Sequence, residues 1–257
     1  VYVAAADRFT VYALDEKTGK ILWGYIAGST IDSSPTIYKG MILFGSADGN
    51  VHCLNAATGK RAWRFMAAPE ERIISVYGRL ESNWPVRGSV IVKNDEACFI
   101  AGSSSYLGGG IYYYRLNPVT GKILATGVVS DIDPETEKQV VEKEGGFDSE
   151  GVSSDILTSD GEVVYLKHLQ INDDGVSSHA KKPHLFSPTS LLDEEWFVRS
   201  YWTFAAGMKG AGYSGWTKSA NRNPAGRVLA FTGDTVYGYG RIEHKAASTG
   251  HKANNYH

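Results

Sequence analysis

Arg79, Glu81, Trp84 and Arg87 crowd one short stretch of a 257-residue chain. Two guanidinium groups, a carboxylate and an indole make a polar–aromatic constellation, and this stretch is the first place where a ligand-binding face is expected. A second aromatic and cationic run, EWFVRSYW, occupies 195–202. On a strand it would put Trp196, Val198, Ser200 and Trp202 on one face and Phe197, Arg199 and Tyr201 on the other. Arg199 among rings suits the lining of a funnel that holds a sugar or an anionic ligand. The plainer reading is a sheet core in which the guanidinium fixes a neighbouring carboxylate or carbonyl.

Other chemistries find less support. The histidines (52, 168, 179, 184, 244, 251 and 257) form no HExxH pair or other metal spacing. His179 and His184 are close enough to share a metal, but loop histidines are usually solvated. Cys53 and Cys98 make no CxxC pair, and two buried free thiols are the expectation. GMKGAGYSG (207–215) lacks the GK[ST] ending of a phosphate loop, and no GxSxG elbow exists. LLDEEW (191–196) supplies oxygen ligands of the kind calcium takes, but reads first as a solvated acidic edge. A net charge of −2 and a pI near 6.4 give no reason to expect nucleic acid as a partner. No apolar run approaches the roughly 20 residues that span a bilayer.

The elements that would position these residues repeat. ALDEKTGKILW (13–23) returns forty residues later as CLNAATGKRAW (53–63), and more weakly as RLNPVTGKILA (115–125). Around each copy lie short runs rich in β-branched and aromatic residues, bounded by Asp, Asn, Gly or Thr, which predict strands. In each turn Asp15, Asn55 or Asn117 can accept backbone N–H groups, with Thr18, Thr58 or Thr120 beside it. Gly19, Gly59 and Gly121 then supply the positive φ of a type I turn followed by a bulge. Four residues on stand Trp23, Trp63 and Ala125. A ring repeated once per sheet suits the wedge between neighbouring sheets, each burial contributing about 1.5–3 kcal/mol. A period near forty with β character suggests propeller blades. The spacing breaks once: 62 residues, not forty, separate Gly59 from Gly121. That extra length must cross a face of the molecule, where loops carry binding functions. Helical character is expected at one place, ETEKQVVEKE (135–144), inside an acidic insertion at about 129–150.

Ala13-x-Asp15-x-x-Thr18-Gly19-Lys20-x-x-Trp23 resembles the tryptophan-docking motif of PQQ-like, quinoprotein-type β-propellers. The second copy departs at Cys53 and Asn55, the third at Ala125, where the interface should pack differently. ESNWPVRGSVIV (81–92), AGSSSYLGGGIYYYRLNPVTGK (101–122), SSDILTSDGEVVYLKHLQIN (153–172), HLFSPTSLLDEEWFVRSYW (184–202) and AGRVLAFTGDTVYGYGR (225–241) are similar to large bacterial PQQ-like propeller proteins. In that subgroup an Arg often stands at the place of Ser103 and an Asp at that of Gly108.

The resemblance implies an all-β propeller of four-stranded antiparallel blades over residues 1–241: about five blades, or an arc of a seven- or eight-bladed ring. Residues 242–257 are expected to be a polar tail, cut short. The chain has no starting Met, basic stretch or signal-like region, and is expected to be a mature form or an internal piece. The function expected is a non-enzymatic, extracytoplasmic (periplasmic) scaffold or ligand-binding module without a cofactor. Its partner would be a protein, a small molecule or a carbohydrate, or the remaining blades of a longer chain. The alternative is a quinoprotein dehydrogenase of alcohols or sugars using PQQ and Ca²⁺, or a degenerate fragment of one. Relatives holding PQQ imply eight blades, a calcium, a catalytic aspartate and often adjacent cysteines, and no Cys-Cys pair exists here.

Overall fold

The computed structural model describes residues 1–133, 135–138, 143–144, 147–148, 151–173, 175, 177–187, 202–206, 223–232 and 235–239. These residues form antiparallel sheets and one short 3-10 turn, Ala6–Arg8. β1 (Tyr2–Ala5), β2 (Thr10–Leu14) and β3 (Ile21–Ile26) make a three-stranded sheet. β4 (Thr36–Tyr38), β5 (Met41–Ser46), β6 (Asn50–Asn55) and β7 (Arg61–Met66) make a four-stranded meander. A two-stranded hairpin follows, β8 (Ile73–Val76) with β9 (Arg79–Ser82). The next meander is β10 (Ile91–Lys93), β11 (Glu96–Ala101), β12 (Ile111–Leu116) and β13 (Ile123–Val129). β14 (Lys143–Glu144) pairs with β15 (Phe147–Asp148). β16 (Thr158–Ser159), β17 (Val164–Leu166), β18 (Leu169–Ile171) and β19 (Ser177–His179) form a further four-stranded sheet. β20 (His184–Phe186), β21 (Trp202–Ala205) and β22 (Ala225–Gly226) form a three-stranded sheet, and β23 (Val228–Thr232) pairs with β24 (Thr235–Tyr239).

The stacking of sheets explains the hydrophobic pattern. Strands inside a stack touch a neighbour on both faces, so they are apolar at every position rather than alternating. β5 and β11 are buried over all but their first residue. Ile42 and Phe44 pack with Val11 toward the first sheet, while Leu43 packs with Phe99 toward the third. Cys98 and Ile100 turn the other way, to Val164 and Leu166 of the fourth. The outer strands β3 and β7 alternate half-buried with exposed residues, as one-sided strands do. The first strands of successive sheets lie side by side: Thr36 Oγ1 of β4 donates to Val90 O, just before β10, at 2.5 Å, and Thr158 Oγ1 of β16 to Leu185 O of β20 at 2.8 Å.

The repeated turn is built as its residues dictate. Gly19, Gly59 and Gly121 have φ of +68°, +69° and +69°, and each donates its N–H to the carbonyl of Asp15, Asn55 or Asn117 at 2.8–2.9 Å. The same bulge follows in all three, at Ala13/Leu14, Cys53/Leu54 and Arg115/Leu116.

Among the described residues of 135–144, where a helix is expected, there is none. Asp133 Oδ1 accepts the N–H groups of Glu135 and Thr136, the Glu137 N–H bonds to Asp133 O, and Lys143–Glu144 is strand. DPETEK therefore makes a fourth copy of the turn, with Glu137 at φ +53° where the other copies have glycine.

Candidate functional site

Of the residues singled out at 79–87, the structure joins two and recruits a third. Arg87 reaches Glu81 Oε2 from Nη2 at 2.5 Å and Asp32 Oδ2 from Nη1 at 3.2 Å. Glu81 lies at the end of β9, while Asp32 and Arg87 each stand four residues before the start of a first strand, at Thr36 and Ile91. The two are thus in equivalent places on consecutive sheets, and the ion pair crosses the seam. Ser33 Oγ continues the seam by donating to Gly88 O at 2.6 Å. The Glu81 side chain is only 6% exposed and that of Arg87 is 26% exposed. A carboxylate so buried needs its cation, and a guanidinium meeting two carboxylates is a geometry lysine does not reproduce.

Trp84 does not line this cluster. It is buried in the core between the second and third meanders, and its Nε1 donates to Gly108 O at 2.6 Å. Gly108 has φ +62°, and a Cβ there would lie 3.2 Å from Trp84 Nε1. A side chain at 108 would crowd both the indole and Asn83 Nδ2, 2.9 Å away. Arg79 is exposed on the β8–β9 hairpin, apart from Arg87. Arg199, with the rest of 195–201, lies outside the described residues, as do 188–194, 207–222 and 240–257.

The indoles bridge sheets. Trp23 Nε1 donates to Ala56 O at 3.1 Å, and its ring lies so close to Gly59 that a Cβ there would sit 2.6 Å away. Trp63 repeats this one sheet on, donating to Pro118 O at 3.0 Å and covering Gly121.

Sequence reasoning missed a buried trio at the first seam. His52 is 2% exposed and stacks on Phe44; its Nδ1 lies 3.1 Å from the Tyr25 hydroxyl and its Nε2 3.6 Å from Asp48 Oδ2. Burial opposes ionisation of Asp48, but the neighbouring His52 ring and the hydrogen bond from the Asn50 N–H outweigh it and hold the carboxyl below its usual range. The signal available was His52 on an otherwise apolar strand. His184 stacks on Tyr165 at 3.9 Å and puts Nε2 2.6 Å from Lys167 O, so both ring faces and Nε2 are occupied by protein. His179 stands near His168, ring centres 5.5 Å apart. The described residues contain no group of three or more His, Cys, Asp or Glu side chains placed to hold a metal. Cys53 and Cys98 are both buried free thiols, and burial pushes Cys53 up to about 12.

Radially stacked meanders with a polar clasp at their first strands define a β-propeller repeat protein. The family described as outer membrane protein assembly factor BamB matches residues 1–131, and the chain belongs to this family of PQQ-like β-propeller repeats. Over 86 residues, 27% of the chain, it is 38% identical to an alcohol dehydrogenase (quinone), dehydrogenase subunit, of Gluconobacter oxydans. Over 101 residues, 35% of the chain, it is 29% identical to the quinohemoprotein alcohol dehydrogenase ADH-IIG of Pseudomonas putida. These matches span only 11% and 14% of those relatives. The solved structure of the Pseudomonas putida enzyme superposes with a TM-score of 0.51 at 16% identity, over 79% of this chain and 37% of that one. That likeness is one of fold.

Proposed function

We propose that the chain is a non-enzymatic, extracytoplasmic propeller module whose sheets are joined by tryptophan docking and which binds a protein partner through the inserted β8–β9 hairpin. The observation that carries this reading is what the insertion presents. Ile73, Tyr77 and Leu80 are 58%, 102% and 70% exposed beside the exposed Arg79. Clustered apolar side chains on a short hairpin are costly in water and characteristic of a contact surface. The hairpin is anchored rather than loose: Ser29 Oγ donates to Leu80 O at 3.0 Å, and Ser82 N to Ala47 O at 2.8 Å. A photo-crosslinker at Tyr77, expressed in the periplasm, should capture a defined protein. With the crosslinker kept at Tyr77, Ile73→Ser with Leu80→Ser should abolish capture without altering the melting temperature. Equal capture by the double variant would refute the assignment.

The quinoprotein reading is supported by the 38% identity to a quinone-linked dehydrogenase subunit. PQQ would bring hydride or electron-pair acceptance from an alcohol, with Ca²⁺ as its Lewis acid. Among the described residues Arg87 is already held by Glu81 and Asp32, and no three or more His, Cys, Asp or Glu side chains are grouped to hold a metal. Dye-linked alcohol oxidation after addition of PQQ and Ca²⁺ would establish this second reading over the first.

A further inference from the structure

The two indole seams share one kind of seat, and a third copy of that seat is exposed. Trp23 Nε1 donates to Ala56 O and Trp63 Nε1 to Pro118 O, and each ring covers the glycine that closes the same turn. In the first turn the equivalent places belong to Glu16 and Gly19. No described donor reaches Glu16 O, and a Cβ on Gly19 would meet nothing within 4 Å. Gly59 and Gly121 are half-buried under their rings, whereas Glu16 and Gly19 are exposed.

The sheet face beside this turn is open as well. On the second sheet Phe44, His52 and Leu54 look toward the first and are buried. Val3, Tyr12 and Leu14 hold the same register on the first sheet. Val3 pairs with Tyr12 as Phe44 pairs with His52, and Leu14 follows the bulge as Leu54 does. They point away from the second sheet, because Tyr2 and Val11 beside them take the face that packs on it. Val3 is 42% exposed, and Tyr12 and Leu14 are only half-buried. The second and third sheets are covered on this same side by a sheet whose outer strand delivers a tryptophan. The fourth receives Arg115 instead, on a tighter turn in which Gly175 N bonds to Asn172 O, three residues back. Gly19 N bonds four residues back, to Asp15 O, as in the two turns that seat an indole.

We propose that this face of the first sheet docks one further sheet of the same repeat, from the remaining blades of a longer chain. Its outer strand seats a tryptophan rather than an arginine, with the indole N–H on Glu16 O and the ring over Gly19. An apolar sheet face is stable when another layer covers it, and the bare Cα of Gly19 leaves the ring the space that Gly59 leaves Trp23. None of these residues belongs to the β8–β9 hairpin, so the two surfaces bind independently.

The probe is a synthetic hairpin of residues 50–66, NVHCLNAATGKRAWRFM, which carries Trp63 on an outer strand of this repeat. An Asn-Gly link between its paired ends, Asn50 and Met66, closes the ring and fixes the hairpin before binding. Followed by fluorescence anisotropy in reducing buffer, the labelled peptide should bind the protein saturably with Kd of about 100 µM. Its Trp63→Ala and Trp63→Arg forms should each bind about tenfold or more weakly. Gly19→Leu in the protein should weaken the parent peptide by a similar factor, and Ile73→Ser with Leu80→Ser should leave its Kd unchanged. Absence of saturable binding, equal binding of the three peptides, unchanged affinity in Gly19→Leu, or a loss in the hairpin double variant would overturn the proposal. Should Gly19→Leu fail to fold, the three peptides on the wild-type protein decide it.

Discussion

Arg115 faces Ala125 directly across β12 and β13, where the two preceding sheets pair Ala13 with Trp23 and Cys53 with Trp63. The large side chain has changed strands. In the first two sheets a small residue on the inner partner leaves room for an indole on the outer strand; in the third, Arg115 comes from the inner partner and Ala125 leaves the room. Both arrangements deliver one N–H donor to the same carbonyl of the next sheet's turn. The backbones lie close at the same seam: a Cβ on Gly127 would lie 2.1 Å from Gly175 O.

The indole seams make a prediction about glycine. Gly19 and Gly59 share the turn and a positive φ, but a Cβ at 19 meets nothing within 4 Å while one at 59 strikes Trp23. Gly19→Ala should cost about 1 kcal/mol from backbone strain alone, and Gly59→Ala about 2–4 kcal/mol, the excess being overpacking. In a Trp23→Ala background, itself about 2–4 kcal/mol less stable, that excess should vanish. Urea unfolding of the double-mutant cycle measures it.

The third seam should respond differently to salt. Arg115→Ala should destabilise by about 1–3 kcal/mol. Its effect should shrink as sodium chloride rises, because Glu96 and Asp173 are partly solvated. Trp63→Ala should be insensitive to salt. Parallel melts at low and high ionic strength separate the two.

Breaking the clasp should be severe. Arg87→Met would leave Glu81 buried without a cation, at a cost of about 3–5 kcal/mol. Arg87→Lys should recover part of this, since an ammonium meets one carboxylate at a time. Chemical denaturation of both variants checks the order.

His168 sets an acid limit. Burial first, and the nearby His179 next, push it down from 6.5 to about 4. A folded pKa below the unfolded value means that the unfolded chain binds the proton more readily. The stability tied to the neutral ring is therefore present above about pH 6.5 and is lost as pH falls toward 4, by about 1–3 kcal/mol. Denaturation midpoints over that range should flatten in His168→Asn.

The thiols should be silent in the native state. Burial raises both Cys53 and Cys98, so native protein should react negligibly with Ellman's reagent, and denatured protein should release both as free thiols.

The sequence by itself determined the repeating unit. A turn of Asx, Thr and Gly closes over six residues of chain, so its hydrogen bonds, its bulge and the strand carrying Trp23 or Trp63 are written locally. Continuous apolar runs such as those of β5 and β11 likewise announce strands covered on both faces. One local signal misled: EKQVVEKE has helical spacing, but Asp133 caps a turn that Glu137 completes in a conformation glycine usually supplies.

Only the tertiary structure decided which polar residues meet. Asp32 finds Arg87 across 55 positions, Tyr25 finds His52 across 27, and Arg115 finds Asp173 across 58. Such partners lie on successive sheets, and their contact is set by how one sheet stacks on the next. A periodic pattern of residues specifies that sheets stack, because apolar faces must be covered. It does not specify which of two strands contributes the side chain that fills a seam, since an arginine opposite an alanine and a small residue opposite a tryptophan satisfy the same space.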